Sequence, residues 1–194
     1  MPWVEISLLV AAYALGSISF GLVLAARRGI DLRTVGSGNT GATNAGRALG
    51  KREGRVVLVL DAAKGVVPAL VAAWWLGRQS PWTASIAAAA VVGHCWPVWH
   101  GFRGGKGAAT AAGAMLVLSW IAGLAAIATY LVGKRASRKV SVGSLSGAAI
   151  GALVAFGLEP ARAPAWGAVA IALVVWVRHA DNLARLRRGE EPDG

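Results

Sequence analysis

The feature that most constrains this chain is a succession of apolar runs, most of them close to the ~20 residues that an α-helix needs to cross a bilayer. They cover about Ile6–Ala26, Val56–Gly77, Thr83–Trp99, Ala108–Gly133, Val142–Leu158 and Ala165–Val177. Basic residues punctuate them: Arg27-Arg28 after the first, Lys134, Arg135, Arg138 and Lys139 after the fourth, Arg178 after the last. This pattern predicts an all-α integral membrane protein. With 194 residues and no linker-like or low-complexity stretch, it predicts one polytopic domain over residues 1–194. Charged residues make up only 15% of the chain, against about 25% in soluble domains. A net charge of +11 raises nucleic acid as a partner. The Lys and Arg lie between apolar runs, however, and not on a soluble face. They therefore read as topology signals and ligand contacts, with no nucleic acid expected.

The run Ala108–Gly133 is longer than one ordinary span, and both its flanks are basic. A single tilted helix there would leave one basic cluster outside. The positive-inside rule favours a hairpin turning near Ser119-Trp120. About seven transmembrane helices result, with the N-terminus outside and the C-terminus cytoplasmic. All 20 Lys and Arg except Arg78 and Arg162 then fall on the cytoplasmic side. No basic leader precedes the first run, so it reads as a retained span and not a signal peptide.

Two polar cassettes interrupt the apolar pattern. The first is Val35-Gly36-Ser37-Gly38-Asn39-Thr40-Gly41-Ala42-Thr43-Asn44-Ala45-Gly46-Arg47, and the second is Gly101-Phe102-Arg103-Gly104-Gly105-Lys106-Gly107-Ala108-Ala109-Thr110. Gly36 to Gly41 matches G-x-G-x-x-G formally, but a dinucleotide fingerprint needs a preceding strand, and here the cassette follows a membrane helix. Its physics survives the failed label: glycine lets consecutive main-chain N–H groups converge on an anion. Ser37, Gly38, Asn39, Thr43 and Asn44 add neutral hydrogen-bonding capacity, and Arg47 adds a fork suited to phosphate. The second cassette is not a Walker A loop, because Gly107 follows Lys106 where Ser or Thr should stand. Gly104, Gly105 and Gly107 can still hold phosphate, with Lys106 as a point charge and the next helix's positive end behind it. An ordinary polar turn is the competing reading of each segment.

Asp61 and Lys64 lie three residues apart, so they share a helix face and can pair inside the membrane as structural support. His94, ahead of Pro97, reads as a helix-packing hydrogen-bond partner in the same supporting role. His179, Asn182 and Arg185 recur at spacing three just past the last span, along one face of a short helix. Cys95 is the lone cysteine, read as a small buried hydrophobe. No nucleophile motif and no metal-ligand cluster is present, so neither metal nor cofactor is expected. Chemistry here would rest on positioning and on charge stabilisation at phosphate. A transporter of a phosphorylated or other anionic metabolite is the rival class.

Taken together, these residues resemble the bacterial membrane glycerol-3-phosphate acyltransferases that use acyl phosphate, the PlsY family. The resemblance runs from Tyr13-Ala14-Leu15-Gly16-Ser17-Ile18 through Gly36–Gly50, Leu60-Asp61, Lys64-Gly65, Gly93-His94 and Pro97. It continues at Phe102, Gly104-Gly105-Lys106-Gly107, Arg178-His179, Asn182, Arg185-Leu186 and Gly189-Glu190. It implies a seven-helix enzyme of the bacterial cytoplasmic (inner) membrane with its conserved loops facing the cytoplasm. The implied reaction moves an acyl group from acyl phosphate to the 1-hydroxyl of glycerol 3-phosphate, without metal or covalent intermediate. The products are lysophosphatidic acid and inorganic phosphate, and membrane lipids surround a monomer. The resemblance assigns roles to Ser37, Thr43, Asn44 and Arg47 in the first loop and Lys106 in the second. It extends them to Ser141 in a third loop and to His179 with Asn182 in the tail.

Overall fold

The first apolar run, expected to be one helix, is broken. In the computed structural model, which describes residues 2–159 and 162–193, α1 (Trp3–Gly16) and α2 (Phe20–Ala26) meet at 40° across Ser17–Ser19. The break has a use. It frees the Ile18 carbonyl to accept the Lys64 ammonium at 2.7 Å, and the Ser17 hydroxyl to accept the Val98 main-chain N–H.

All regular structure among the described residues is helical. After α2 come α3 (Ala42–Leu49), α4 (Lys51–Leu76), α5 (Pro81–Cys95), a 3₁₀ turn (Val98–His100) and α6 (Ala108–Leu118). Then follow α7 (Trp120–Ser137), α8 (Val140–Leu158), α9 (Ala163–Arg178) and α10 (Ala180–Arg188). Of these, α4 and α8 are each long and apolar enough to cross a membrane; the bent pairs α1–α2 and α9–α10 pass the same test. Local chemistry sets the boundaries. Ser80 caps α5, accepting from Trp82 N with Pro81 in the first turn. Pro97 holds Trp96 out of the helical region, so α5 stops at Cys95. Ser119 is extended (φ −152°, ψ 103°) and divides Ala108–Gly133 into α6 and α7, at the turn expected from the charge pattern. The two helices fold back on each other so closely that a Cβ on Gly123 would lie 2.6 Å from the Leu116 Cα.

Small residues make the packing possible. The largest buried cluster, drawn from α4 to α9, is mostly alanine, with Val91, Met115, Leu118, Ile171 and Val175 among the larger members. A Cβ on Gly65 of α4 would stand 2.0 Å from the Thr110 carbonyl of α6, so those backbones touch only because glycine is there. The large apolar side chains point outward instead, as Trp74 (84% exposed) and Val59 do. A water-soluble fold inverts that distribution; lipid tails accept it.

The bundle has two chemically distinct ends. Arg78 donates to the Leu118 carbonyl and pairs with Glu159, which also accepts from Gln79 and lies beside Arg162. The two basic residues set apart by the charge pattern thus share one end. Pro160 and Ala161 of that connector lie outside the described residues. Both cassettes, the start of α8 and α10 gather at the other end.

Candidate active site

The first cassette is only half a loop. Thr43, Asn44 and Arg47, expected in loop with Ser37, belong to α3, because the helix begins at Ala42, directly after Gly41. Asn44 is 2% exposed and holds the loop to this helix. Its Oδ1 accepts from Ser37 N at 3.1 Å, and its Nδ2 donates to the Leu32 and Val35 carbonyls at 3.0 Å. Gly36 is required there: its φ is +57°, and a Cβ would stand 2.3 Å from Asn44 Oδ1. Asn39 turns its own chain, accepting from Gly41 N at 2.8 Å.

The second cassette runs over the end of α5. Gly105 N donates to the His94 carbonyl at 3.1 Å, and a Cβ on Gly105 would meet the His94 ring at 2.0 Å. Gly107 is left-handed (φ 80°) and opens α6, whose first N–H groups have no intrahelical acceptor. Ser141, expected in a third loop, lies instead in the first turn of α8. Lys139, just before α8, donates its main-chain N–H to the Ser137 hydroxyl at 3.1 Å.

These pieces surround one cavity of about 420 Å³. Ser37, Asn39, Thr43, Asn44 and Arg47 line it from the first cassette, and Lys106 and Gly107 from the second. Asp61, His94, Ser141, His179, Asn182 and Arg185 also stand on the polar wall. Gly38, Gly104, Gly105 and Lys64 stand outside the lining. The inner wall is apolar, with Leu58, Ala111, Met115, Ile127 and Ala148. The cavity therefore joins a cationic mouth to a hydrocarbon-like interior.

Electrostatics separate its members. Asp61 and Lys64 form the buried pair expected from their spacing, at 3.1 Å, and Lys64 also faces the Phe20 ring. His94 Nδ1 lies 3.6 Å from Asp61 and makes no hydrogen bond. Burial, aided by the Arg185 charge, lowers the Lys106 ammonium below the usual lysine value. Burial likewise pushes His179 down to about 4, although the Val175 carbonyl favours its proton. That carbonyl lies 2.8 Å from Nδ1, so the neutral ring carries its proton there and leaves Nε2 with a free lone pair. Ser141 Oγ and Asn182 Oδ1 are buried without a partner. Unpaired polar atoms cost about 1–3 kcal/mol each, so a cluster of them on a cavity wall suits a polar ligand.

One residue escaped the sequence reading. The resemblance ran through Glu190, yet Glu190 only pairs with exposed Arg188, whereas Glu191 is buried and lines the cavity. Its carboxylate accepts from Asn182 Nδ2 at 2.6 Å and from Arg185 Nε at 2.8 Å. Burial raises its pKa, and the hydrogen bonds from Asn182 and Arg185, with the nearby Ser141, more than offset this, so it titrates below the usual glutamate range although the Ser141 Oγ is too poorly placed to bond it. The tail is held on both sides, by Lys139 at the Glu191 carbonyl and by Arg47 at the Asp193 carbonyl (2.6 Å). Adjacent acidic residues in a basic tail look alike in sequence; only the return of the chain over the cavity separates them.

Comparison with known proteins shows which family the chain resembles. A family model described as glycerol-3-phosphate acyltransferase matches residues 6–189. A protein of that name from Anaeromyxobacter dehalogenans (strain 2CP-1) is 52% identical over 191 residues, covering 95% of each chain. The crystal structure of PlsY, an integral membrane glycerol 3-phosphate acyltransferase, in its glycerol 3-phosphate form superposes with a TM-score of 0.94 at 39% identity. That match covers 98% of this chain and 95% of the other. The lysophosphatidic acid form gives a TM-score of 0.91 at 37% identity, covering 97% and 94%. On sequence and fold together, this multi-pass membrane chain belongs to the glycerol-3-phosphate acyltransferase family.

Proposed function

We propose that this chain transfers a fatty acyl group from acyl phosphate to the 1-hydroxyl of sn-glycerol 3-phosphate in the bacterial cytoplasmic membrane. The acyl C–O bond to phosphate breaks, the ester forms, and the hydroxyl proton passes to a phosphate oxygen of the departing group. Family membership carries the acyltransferase activity. The observation that carries the reading of the site is that Arg47 and Lys106, from different cassettes, line one cavity whose inner wall is apolar.

Two phosphorylated substrates repel each other, so the site needs two cationic anchors. Arg47 suits bidentate contact with one phosphate; Lys106, backed by the start of α6, suits the other. Phosphate is a good leaving group, so no strong nucleophile has to be made. Holding both substrates in near-attack geometry can supply about 7–11 kcal/mol in favourable cases. Neutral His179 offers Nε2 to orient the hydroxyl. Ser37, Asn39, Thr43, Ser141 and Asn182 hydrogen-bond the polar groups, Asn44 holds the first loop in shape, and Gly38, Gly104, Gly105 and Gly107 shape the two loops. Asp61, Lys64 and His94 brace the wall.

The whole chain acts as one domain and as a monomer, since a single copy surrounds the cavity. Counting α1–α2 as one segment, α4 to α9 bring the spans to about seven, with the N-terminus outside and the C-terminus cytoplasmic. The gathering of cassettes and α10 at one end, with Arg78 and Arg162 at the other, supports this orientation. A transporter is not favoured, because the polar motifs cluster at one end only. The test is transfer to radiolabelled glycerol 3-phosphate by purified protein, comparing palmitoyl phosphate with palmitoyl-CoA. Product from palmitoyl phosphate alone is expected; equal or faster turnover with the thioester overturns the donor assignment.

A further inference from the structure

Arg178 is the last residue of α9, and no role follows for it from the cavity, which it does not line. A basic residue at a helix C-terminus commonly faces its own last carbonyls. This one reaches across the fold instead. Its Nε donates to the Gly105 carbonyl and its terminal NH2 to the Gly104 carbonyl, both at 3.1 Å. Its guanidinium lies 5.4 Å from the Trp96 ring centroid, and the Trp96 carbonyl is in turn held by the Tyr13 hydroxyl at 2.8 Å. Two main-chain carbonyls of one loop are what it grips.

The consequence follows from peptide geometry. In a trans peptide the carbonyl and the following N–H point opposite ways. Turning the Gly105 carbonyl toward Arg178 therefore turns the Lys106 N–H away from it. Neither Lys106 N nor Gly107 N donates to any main-chain carbonyl among the described residues, while Gly105 N is already spent on the His94 carbonyl. The loop is thus pinned on one side by His94 and on the other by the Arg178 fork. What remains unspent is the pair of N–H groups next to the Lys106 side chain, at the start of α6.

We propose that Arg178 is a positioning residue: through the Gly104 and Gly105 carbonyls it fixes the loop so that the Lys106 and Gly107 N–H groups face a substrate phosphate. The inference rests on the reading that Lys106 holds phosphate. Lysine at this position keeps the charge beside the indole but cannot make two parallel bonds to neighbouring carbonyls. A role in bulk charge would be indifferent to that exchange, and a role in folding would lower the amount of active enzyme without selecting between substrates.

The experiment is steady-state kinetics of Arg178→Lys, with KM measured separately for glycerol 3-phosphate and palmitoyl phosphate, alongside thermal unfolding in detergent. A rise of about tenfold in KM for one phosphorylated substrate, with the other within about twofold, is expected. Wild-type kinetics, or a fall in kcat with both KM values unchanged, overturns the proposal. The same substitution in a Lys106→Ala background separates this idea from the one beneath it. The Arg178→Lys effect should shrink there by at least about fivefold, since both act through one loop. An undiminished effect sinks the positioning role alone, whereas wild-type kinetics of Lys106→Ala sinks the phosphate reading and this inference with it. Should Arg178→Lys fail to fold, Trp96→Leu removes the aromatic ring beside the guanidinium and leaves the fork. It should raise KM for one phosphorylated substrate about threefold with kcat kept, and equality with wild type overturns the proposal.

Discussion

The Glu191 carboxylate accepts a 2.6 Å hydrogen bond from the Asn182 amide, tying the tail that follows α10 to the wall of the cavity. Its other oxygen takes Arg185 Nε, so one buried carboxylate orders two cavity-lining side chains. Hydrogen bonds to a charged partner are worth about 1.5–3 kcal/mol each. Glu191→Ala should therefore cost at least about tenfold in kcat/KM and lower the unfolding temperature. Glu190→Ala, which loses only an exposed partner, should stay within about 0.5 kcal/mol of wild type. Equal behaviour of the two variants would show that the tail contact is incidental.

Arg47→Lys keeps the charge but loses the fork, and should lose at least about tenfold in kcat/KM. Lys106→Ala should lose more, because it removes a charge from beside two repelling phosphates. Arg162→Ala is the control: it sits with Arg78 and Glu159 at the far end of the bundle and should leave kinetics nearly unchanged. Normally folded Arg47→Lys and Lys106→Ala proteins with wild-type kinetics would rule out the two-anchor site.

The buried Asp61–Lys64 pair makes a stability prediction. Asp61→Asn strands Lys64, whose side chain is 2% exposed, without its counter-charge. Removing one partner of a buried pair costs about 3–5 kcal/mol. The double variant Asp61→Leu with Lys64→Met should recover much of that loss. Thermal unfolding of the three proteins in detergent decides; a double variant no better than the single one would argue that the Lys64 bond to the Ile18 carbonyl matters more than the ion pair.

The pH profile follows from His179 and Lys106. With His179 pushed down to about 4, the folded protein binds fewer protons there than the unfolded chain between the ordinary 6.5 and 4. Its stability contribution is thus intact above that window and falls as pH drops through it. The neutral ring persists to about pH 4, so no activity step near 6.5 should belong to His179. On the alkaline side, Lys106 loses its charge earlier than an ordinary lysine, and phosphate affinity should fall below the usual lysine range. The measurement is kcat/KM against pH for wild type and His179→Gln. A step near 6.5 that vanishes in the variant contradicts this assignment; one that persists belongs to the substrate phosphates, which titrate near 6.

Much of the architecture is legible in one dimension because its causes are local. Apolar length and charge deficit predict membrane helices, and basic flanks predict the α6–α7 turn at Ser119, whereas the third run, read as reaching Trp99, ends as a helix at Cys95. The pairing of Asp61 with Lys64 follows from helical spacing alone. The break at Ser17–Ser19 was not legible, since its reward is a contact from Lys64, 46 residues away. Likewise nothing in the first cassette says that Asn44 is occupied by the Leu32 and Val35 carbonyls.

The sequence by itself determined the medium, the helical class and the anion-binding chemistry, because hydropathy, charge and glycine content act over a few turns or less. Only the tertiary structure decided which polar groups share a cavity, that Glu191 and not Glu190 closes it, and that Arg178 reaches a loop 73 residues away. Those outcomes depend on how close the backbones approach, and that is set by glycines and alanines at helix contacts. Such residues carry no chemical signature of the partner they admit.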